Sequence, residues 1–486
     1  MKKIIYSLFI AGLFFSCSDF LEEESRGLLA PEAFYQNAQE LDLAVTGIYH
    51  RIVNTSQSDR VTAATLGGQD LASRFNYFQE YDVFNPTGAN KETGSYWALL
   101  YQVIAASNDL ILNYEKADAT EQEKEQAAGQ AYFARAYSYF TLVRIWNEIP
   151  LYTENVLTYD VEKSSPQEVY EQITEDLKKA EQMLPDNWTG LKEDIGFTSG
   201  AAKSLLAYAY LSMTGYPLKD DSKYALAAEK AKEVIDNKDV YGYSLLNDFA
   251  DLWKYENNNN DEIVFGLFHN VSYRKNYRSP LGSQPKEYGG WDVYYAEINF
   301  YNNFPAGPRK DATFASELPM EDGSVLDWTE TLQAHPYYKK YWEVEGFDWS
   351  KPWEYVGWKS SRTNVVLRYA NVLLIYAEAQ AMASAADASA YSAINQVRNR
   401  AGLPNLTGGL SNEAFRDSVV LERSWEFAGG EFAMAPWYDL VRLERVEAAA
   451  ADRHPSELPI VNMPTKDDYF APYPESDVLL NPKLDL

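Results

Sequence analysis

The chain has almost no cysteine, few histidines and a shortage of bases. One cysteine in 486 residues excludes an intramolecular disulfide, so stability must come from a hydrophobic core, which a chain of this length can build. The four histidines (His50, His269, His335 and His454) are scattered, and none has the His-Glu-x-x-His spacing of a helical zinc site. A Gly-x-Ser-x-Gly elbow and a Gly-rich, Lys-bearing phosphate loop are also missing. Lys and Arg total 43 against 71 Asp and Glu, a formal net charge of −28. No basic stripe runs through the sequence, which argues against nucleic acid as a partner. Long apolar runs are lacking too: Ile4 to Phe15 is about a dozen residues, where a membrane-spanning helix needs roughly 20.

That run nevertheless has a purpose. Met1-Lys2-Lys3, the apolar stretch and the small Ser16 have the layout of a secretory signal over residues 1–16. Cys17 follows at once, and the arrangement resembles a bacterial lipoprotein signal in which Cys17 becomes the lipidated first residue. The alternative is an ordinary signal with an incidental cysteine. Phe14 departs from the Leu usual in such signals. Several acyl chains on one residue anchor a protein stably where a single chain does so only marginally. The expectation is a lipidated tether over residues 17–30 and a body held to a membrane at one end by that anchor.

Most of the remainder carries helical periodicity. Leu41, Val45, Ile48 and Ile52 form one apolar stripe, as do Trp97, Leu100, Tyr101 and Ile104. Ala127, Ala131, Ala134 and Ser138 make a small-residue face in the stretch 127–146, which lets a neighbouring helix approach closely. Further helical patterns cover 165–184, where Ser165 and Pro166 supply cap and first turn, then 199–213, 224–235, 368–382 and 391–403. Helix pairs of similar length and Ala/Tyr/Leu texture predict a mainly α fold built as a tetratricopeptide-like stack, with an irregular bundle as the alternative.

Between about 256 and 360 the texture changes. The Asn-rich stretch 256–262 reads as a polar turn; it lacks the spacing of a calcium loop, and no metal or cofactor is expected. Ile263 to Phe268 reads as a short strand, followed by Gly, Pro, Asn and aromatics without helical period. Of the 12 Trp, six fall here: Trp291, Trp328, Trp342, Trp349, Trp353 and Trp358. A rigid indole covers the C–H face of a sugar ring at low entropic cost, while nearby polar side chains read the hydroxyls. Self-packing of a loop-rich segment is the competing explanation; it is assigned to Trp342 and Trp358. Trp291 with Tyr294 and Tyr295, and Trp328, are the ligand candidates.

Taken in order, the motifs resemble those of the SusD/RagB family of surface nutrient-binding lipoproteins. The run includes "CSDFLEEE", "AQELDLAVTGIYHRI", "YWALLYQVIAASNDLI", "GQAYFARAYSYFTLVRIWNEIPL" and "SPQEVYEQITEDLKKA". It continues with "VVLRYANVLLIYAEAQ", "INQVRNRAGL", "VLERSWEFAGGEF…WYDLVR" and "LPI…LLNPKLDL". The segment Gly429 to Pro436 departs from the family's usual Glu-Gly-x-Arg turn.

The resemblance implies one domain over 31–486. Its helical scaffold would cover about 31–255 and 361–450, with a ligand-binding loop region at about 256–360 and an extended tail at about 451–486. It also implies display on the cell exterior and a SusC-like TonB-dependent transporter as partner, over which the protein acts as a lid. The acids Asp19, Glu22, Glu23 and Glu24 resemble an export address.

Family loops near 67–81 and in the mid-chain region build the ligand site together, which adds Asp70, Arg74, Asn76, Tyr77 and Phe78 as candidates. Arg74 and Asp70 could instead be a surface pair at i, i+4. The function so implied is non-enzymatic capture of oligosaccharide for import. The alternatives are the same architecture binding peptide or another nutrient, and a glycosidase using two of the many carboxylates.

Overall fold

The computed structural model describes residues 34–485, apart from 57–59, 156–158, 273–279 and 355–359. The signal, the tether, Cys17 and Trp358 lie outside the described residues. The fold is mainly α. Its longer helices are α1 (Ala38–Thr55), α2 (Lys91–Asn113), α3 (Glu121–Trp146), α4 (Pro166–Met183), α5 (Ser199–Met213), α6 (Lys223–Asp236), α7 (Tyr369–Ala383), α8 (Ala388–Arg400) and α9 (Asn412–Glu426).

Local chemistry sets their ends. Ser165 caps α4, its carboxylate partner Glu168 reaching back to the Ser165 N–H at 2.8 Å, with Pro166 in the first turn. Thr120 and Glu123 do the same for α3. Arg368, read from sequence as the start of a helix, is the last residue of a strand and the cap of α7.

Successive helices pack on one another from α1 to α7, and α7 then packs on α8 and α9. Helix α3 is buried all round from Ala127 to Trp146, and its small residues admit α2 on one side and α4 on the other. Helix α7 packs directly on α6, although the whole irregular segment separates them in sequence. That segment is therefore an insertion into a continuous tetratricopeptide-like stack.

The strands are short: β1 (Leu71–Ala72), β2 (Ile263–Leu267), β3 (Tyr295–Ala296), β4 (Glu317–Pro319), β5 (Val325–Asp327) and β6 (Asn364–Arg368). At the neck of the insertion β2 pairs antiparallel with β6, Ile263 opposite Arg368, so entry and exit are pinned side by side. Within it β4 and β5 form a hairpin. Strand β1 pairs antiparallel with β3, Ala72 opposite Tyr295, which joins the segment after α1 to the middle of the insertion.

The insertion has its own small cores. Phe78, Tyr81, Tyr294, Phe300, Phe304, Phe314 and Tyr338 share one, and Tyr288, Tyr295, Leu318, Tyr337 and Trp342 another. Trp342 packs as its sequence context suggested, its indole N–H donating to the Ser283 carbonyl at 3.1 Å. The tail is not simply extended, since Glu475–Leu480 is a helical turn tied to α2 through Trp97 Nε1 and Asp477 Oδ1 at 3.0 Å.

Candidate functional site

The β1–β3 pair brings the two candidate regions together. Directly before β1, Asp70 is buried; its Oδ2 accepts the Gly429 N–H at 2.8 Å and its carbonyl accepts the Tyr338 hydroxyl at 2.5 Å. Gly429 has φ +87°, and a Cβ there would stand 2.8 Å from the Tyr338 ring, so both conformation and space require glycine. Burial pushes the Asp70 carboxyl up to about 6, against the bonds from Gly429 and its neighbours. Asp70 is therefore a brace for the loop and forms no surface pair with Arg74.

Directly after β1 the chain emerges. Arg74 is exposed, and its Nη1 and Nη2 donate to the carbonyls of Gln333 and Ser456, each at 3.3 Å. The Gln333 carbonyl also meets His335 Nδ1 at 2.6 Å, and His335 Nε2 lies 2.9 Å from Glu457 Oε2. The Gln333 amide reaches Asp292 Oδ2 at 3.4 Å. Asp292 is buried, and burial, with Glu287 nearby, lifts its carboxyl to about 6. The residue before it, Trp291, is 41% exposed while its backbone N–H is fixed to the Leu281 carbonyl at 2.7 Å. Four segments are thus linked through Arg74, Gln333, Ser456 and Asp292, and they carry an amide, a guanidinium and, next to Asp292 in the chain, an accessible indole.

Asn76 is exposed and opens the short helix Asn76–Asp82, so this stretch is not simply a loop. Tyr77 is half-buried, with the Lys91 ammonium 4.8 Å from its ring centroid. Trp328 is half-buried at the end of the β4–β5 hairpin, edge-on to Tyr301 at 6.1 Å. The expectation of ligand contact is corrected for Phe78, Tyr294 and Tyr295. All three are buried, because their large apolar faces are what closes the small cores, and Tyr295 lies against the His335 ring at 4.2 Å.

Asp292, Gln333 and the His335–Glu457 pair were not anticipated. Asp292 could have been suspected from its neighbour Trp291. Nothing in the sequence places Gln333 or Ser456 beside Arg74, which is distant in the chain and meets them only in the fold. Bordering the same strand pair is a cavity of about 310 Å³ lined by Gln69, Glu297, Asn299, Asn303, Trp425 and Arg453, among others. No group of three or more His, Cys, Asp or Glu among the described residues is placed to hold a metal ion. Among the same residues no helix is long and apolar enough to cross a membrane.

Comparison with known proteins places this architecture. The family model described as "Starch-binding associating with outer membrane" matches residues 19–211, and the SusD family model matches residues 329–485. The SusD-like protein P2 of Formosa agariphila is 29% identical over 507 aligned positions, covering 96% of this chain and 95% of that protein. The crystal structure of a SusD homolog from Bacteroides thetaiotaomicron superposes with a TM-score of 0.78 at 23% identity, covering 95% of this chain and 98% of that one. A second crystal structure, with xylogluco-oligosaccharide, gives 0.77 at 23% identity, covering 92% and 98%. The stack, the insertion carried between α6 and α7, and matches at both ends of the chain agree: this protein belongs to the SusD/RagB family.

Proposed function

We propose that the protein is a non-enzymatic cell-surface glycan-binding lipoprotein, and that the face around Trp291 and Arg74 holds an oligosaccharide. One observation carries this reading: the β1–β3 pairing joins the segment bearing Arg74 to the one bearing the accessible, backbone-fixed Trp291, and Gln333 links Arg74 to Asp292, the residue after that Trp. A sugar ring needs that combination, an apolar plane for its C–H face and in-plane donors and acceptors for its hydroxyls. Asn76, Tyr77 and Trp328 would extend the contact along the chain of the glycan. A related fold has been seen with xylogluco-oligosaccharide, which supports the ligand class without naming this chain's glycan.

Lipid on Cys17 would hold the protein at the outer membrane, facing outward, and a SusC-like TonB-dependent transporter would receive the cargo as the protein closes over it. Titration of a glycan panel by calorimetry tests the central claim. Saturable binding to at least one oligosaccharide, weakened by Trp291→Ala and by Arg74→Ala, is expected. Binding to peptides alone would overturn it, and new reducing ends on a bound oligosaccharide would overturn the non-enzymatic part. Co-purification with a large β-barrel and a mass spectrum of lipidated Cys17 test the partner and the anchor.

A further inference from the structure

Lined by residues other than those of the glycan face, a small cavity holds an imbalance of buried charge. Arg144, near the end of α3, is 7% exposed and lies between two rings, its guanidinium 3.8 Å from the Phe140 centroid and 3.9 Å from that of Tyr438. Its Nε donates to the Phe140 carbonyl at 3.2 Å and its Nη1 to the Ala433 carbonyl at 2.9 Å. Among the described residues no carboxylate pairs with it, and its Nη2 is buried with no hydrogen-bond partner. The Tyr438 hydroxyl is buried and unpartnered in the same way.

Both residues line a cavity of about 30 Å³ together with Tyr170, Tyr208, Ser212, Tyr216, Asp439 and Arg442, among others. The acids nearby are already taken. Asp439 is bonded by Arg423 and Arg442, and Glu378 by the same two guanidinium groups. Arg144, Arg423 and Arg442 thus face only Glu378 and Asp439, which leaves one positive charge without a counterpart inside a protein of formal net charge −28. A buried cation is stable when an opposite charge meets it and its donors are used.

We infer that this cavity is an anion site, in which a monatomic anion of chloride size accepts hydrogen bonds from Arg144 Nη2 and the Tyr438 hydroxyl. The size of the space sets the class. A cavity of about 10–15 Å³ suffices for one water, so about 30 Å³ admits a chloride or bromide ion and excludes a polyhydroxy carboxylate. The ion would tie α3 to the chain around Tyr438, where the two halves of the scaffold meet. This site is independent of the glycan face and of the function proposed for it.

The test exploits size at constant ionic strength. Melting of the intact protein is followed while sodium chloride replaces sodium gluconate at fixed total salt, so that screening is the same throughout. Above the dissociation constant, Tm should rise by about 1–2 °C for each tenfold increase in chloride, as for any ligand of the folded state. Tyr438→Phe, which keeps the ring, should weaken that dependence, and Arg144→Met should abolish it if the variant folds. Bromide-soaked crystals of the unaltered protein should show an anomalous peak within hydrogen-bonding distance of Arg144 Nη2. A Tm indifferent to the chloride fraction, or a bromide-free cavity holding only water, overturns the assignment.

Discussion

In the helical stack, α5 buries Leu205, Leu206, Ala207 and Leu211 completely, and apolar packing is the larger part of what holds it. The insertion between α6 and α7 is held differently. Its strands are too short to satisfy a loop-rich backbone, so side chains do so, as when Asp327 caps the turn at Trp328 and Asn258 accepts the Thr363 N–H at 2.7 Å. It is fastened to the stack by buried ion pairs. Arg309 bonds Glu422 and Glu426 of α9 at 2.7 and 2.9 Å, and Lys340 bonds Glu431 at 2.5 Å.

Arg368, at the neck, bonds Glu262 and Glu426, both at 2.7 Å, and Glu431 at 3.0 Å. Arg400 of α8 reaches Glu262 at 2.9 Å and also pairs with Glu426. The comparison teaches that the helices stack mainly by apolar packing, which is not directional, with buried ion pairs such as Arg135–Asp176 and Arg423–Glu378 joining them at a few points. Orienting an irregular ligand-bearing segment on them uses charged groups whose geometry admits few alternatives.

The sharpest way to break this contrast is Arg368→Met. Removing one member of a buried, hydrogen-bonded charge cluster strands its partners, and a loss of about 3–5 kcal/mol is expected in urea unfolding. Proteolysis within residues 256–360 should accelerate before the helices melt. In the stack, Leu206→Ala should cost about 2–5 kcal/mol through lost burial and the cavity left behind, without selectively exposing the insertion. Equal protease sensitivity of the insertion in both variants would show that it is not separately fastened.

Trp291→Ala should act on binding alone. Its indole is 41% exposed, so stability should stay within about 0.5 kcal/mol, while glycan affinity falls about tenfold or more, roughly 1.4 kcal/mol. The smallest effects are pH dependences of opposite sign. Burial pushes the Glu426 carboxyl up, but Arg400, Arg368 and Arg309 together bring it down to about 2. Its contribution is present above the ordinary glutamate range and lost as pH falls toward 2. The Asp292 carboxyl is raised to about 6. The folded state then binds the extra proton, and stability drops as pH rises from about 4 to 6. Unfolding measured across pH 2 to 8 should therefore show a shallower acid limb in Glu426→Gln and a shallower pH 4–6 decline in Asp292→Asn, the rest of that decline coming from other buried carboxyls raised in the same way, Asp70 among them.

Much of the scaffold was readable from residue order. The stripe Leu41, Val45, Ile48, Ile52 is buried on α1 as its spacing required, and Ser165 with Pro166 opens α4. The strand expected at Ile263 to Phe268 is β2, one residue shorter. The candidate site was legible only in part. Composition singled out the Trp-rich stretch and the family resemblance singled out the segment around Arg74, but neither told which rings would be covered. Tyr294 and Tyr295 adjoin Trp291 in sequence, yet they close the small cores beneath the face that Trp291 presents.

Sequence by itself determined the helices, their capping and the place where the stack is interrupted, because periodicity and capping are local and repeat within a few residues. It also determined the family, through the order of many weak motifs along the chain. Only the tertiary structure decided that β1 would pair with β3, that Gln333 would stand between Arg74 and Asp292, and that Arg144 would be buried without an acid. Such pairings join residues from tens to hundreds of positions apart. They are selected by which polar groups remain unsatisfied once the helices have packed, and no local pattern encodes that remainder.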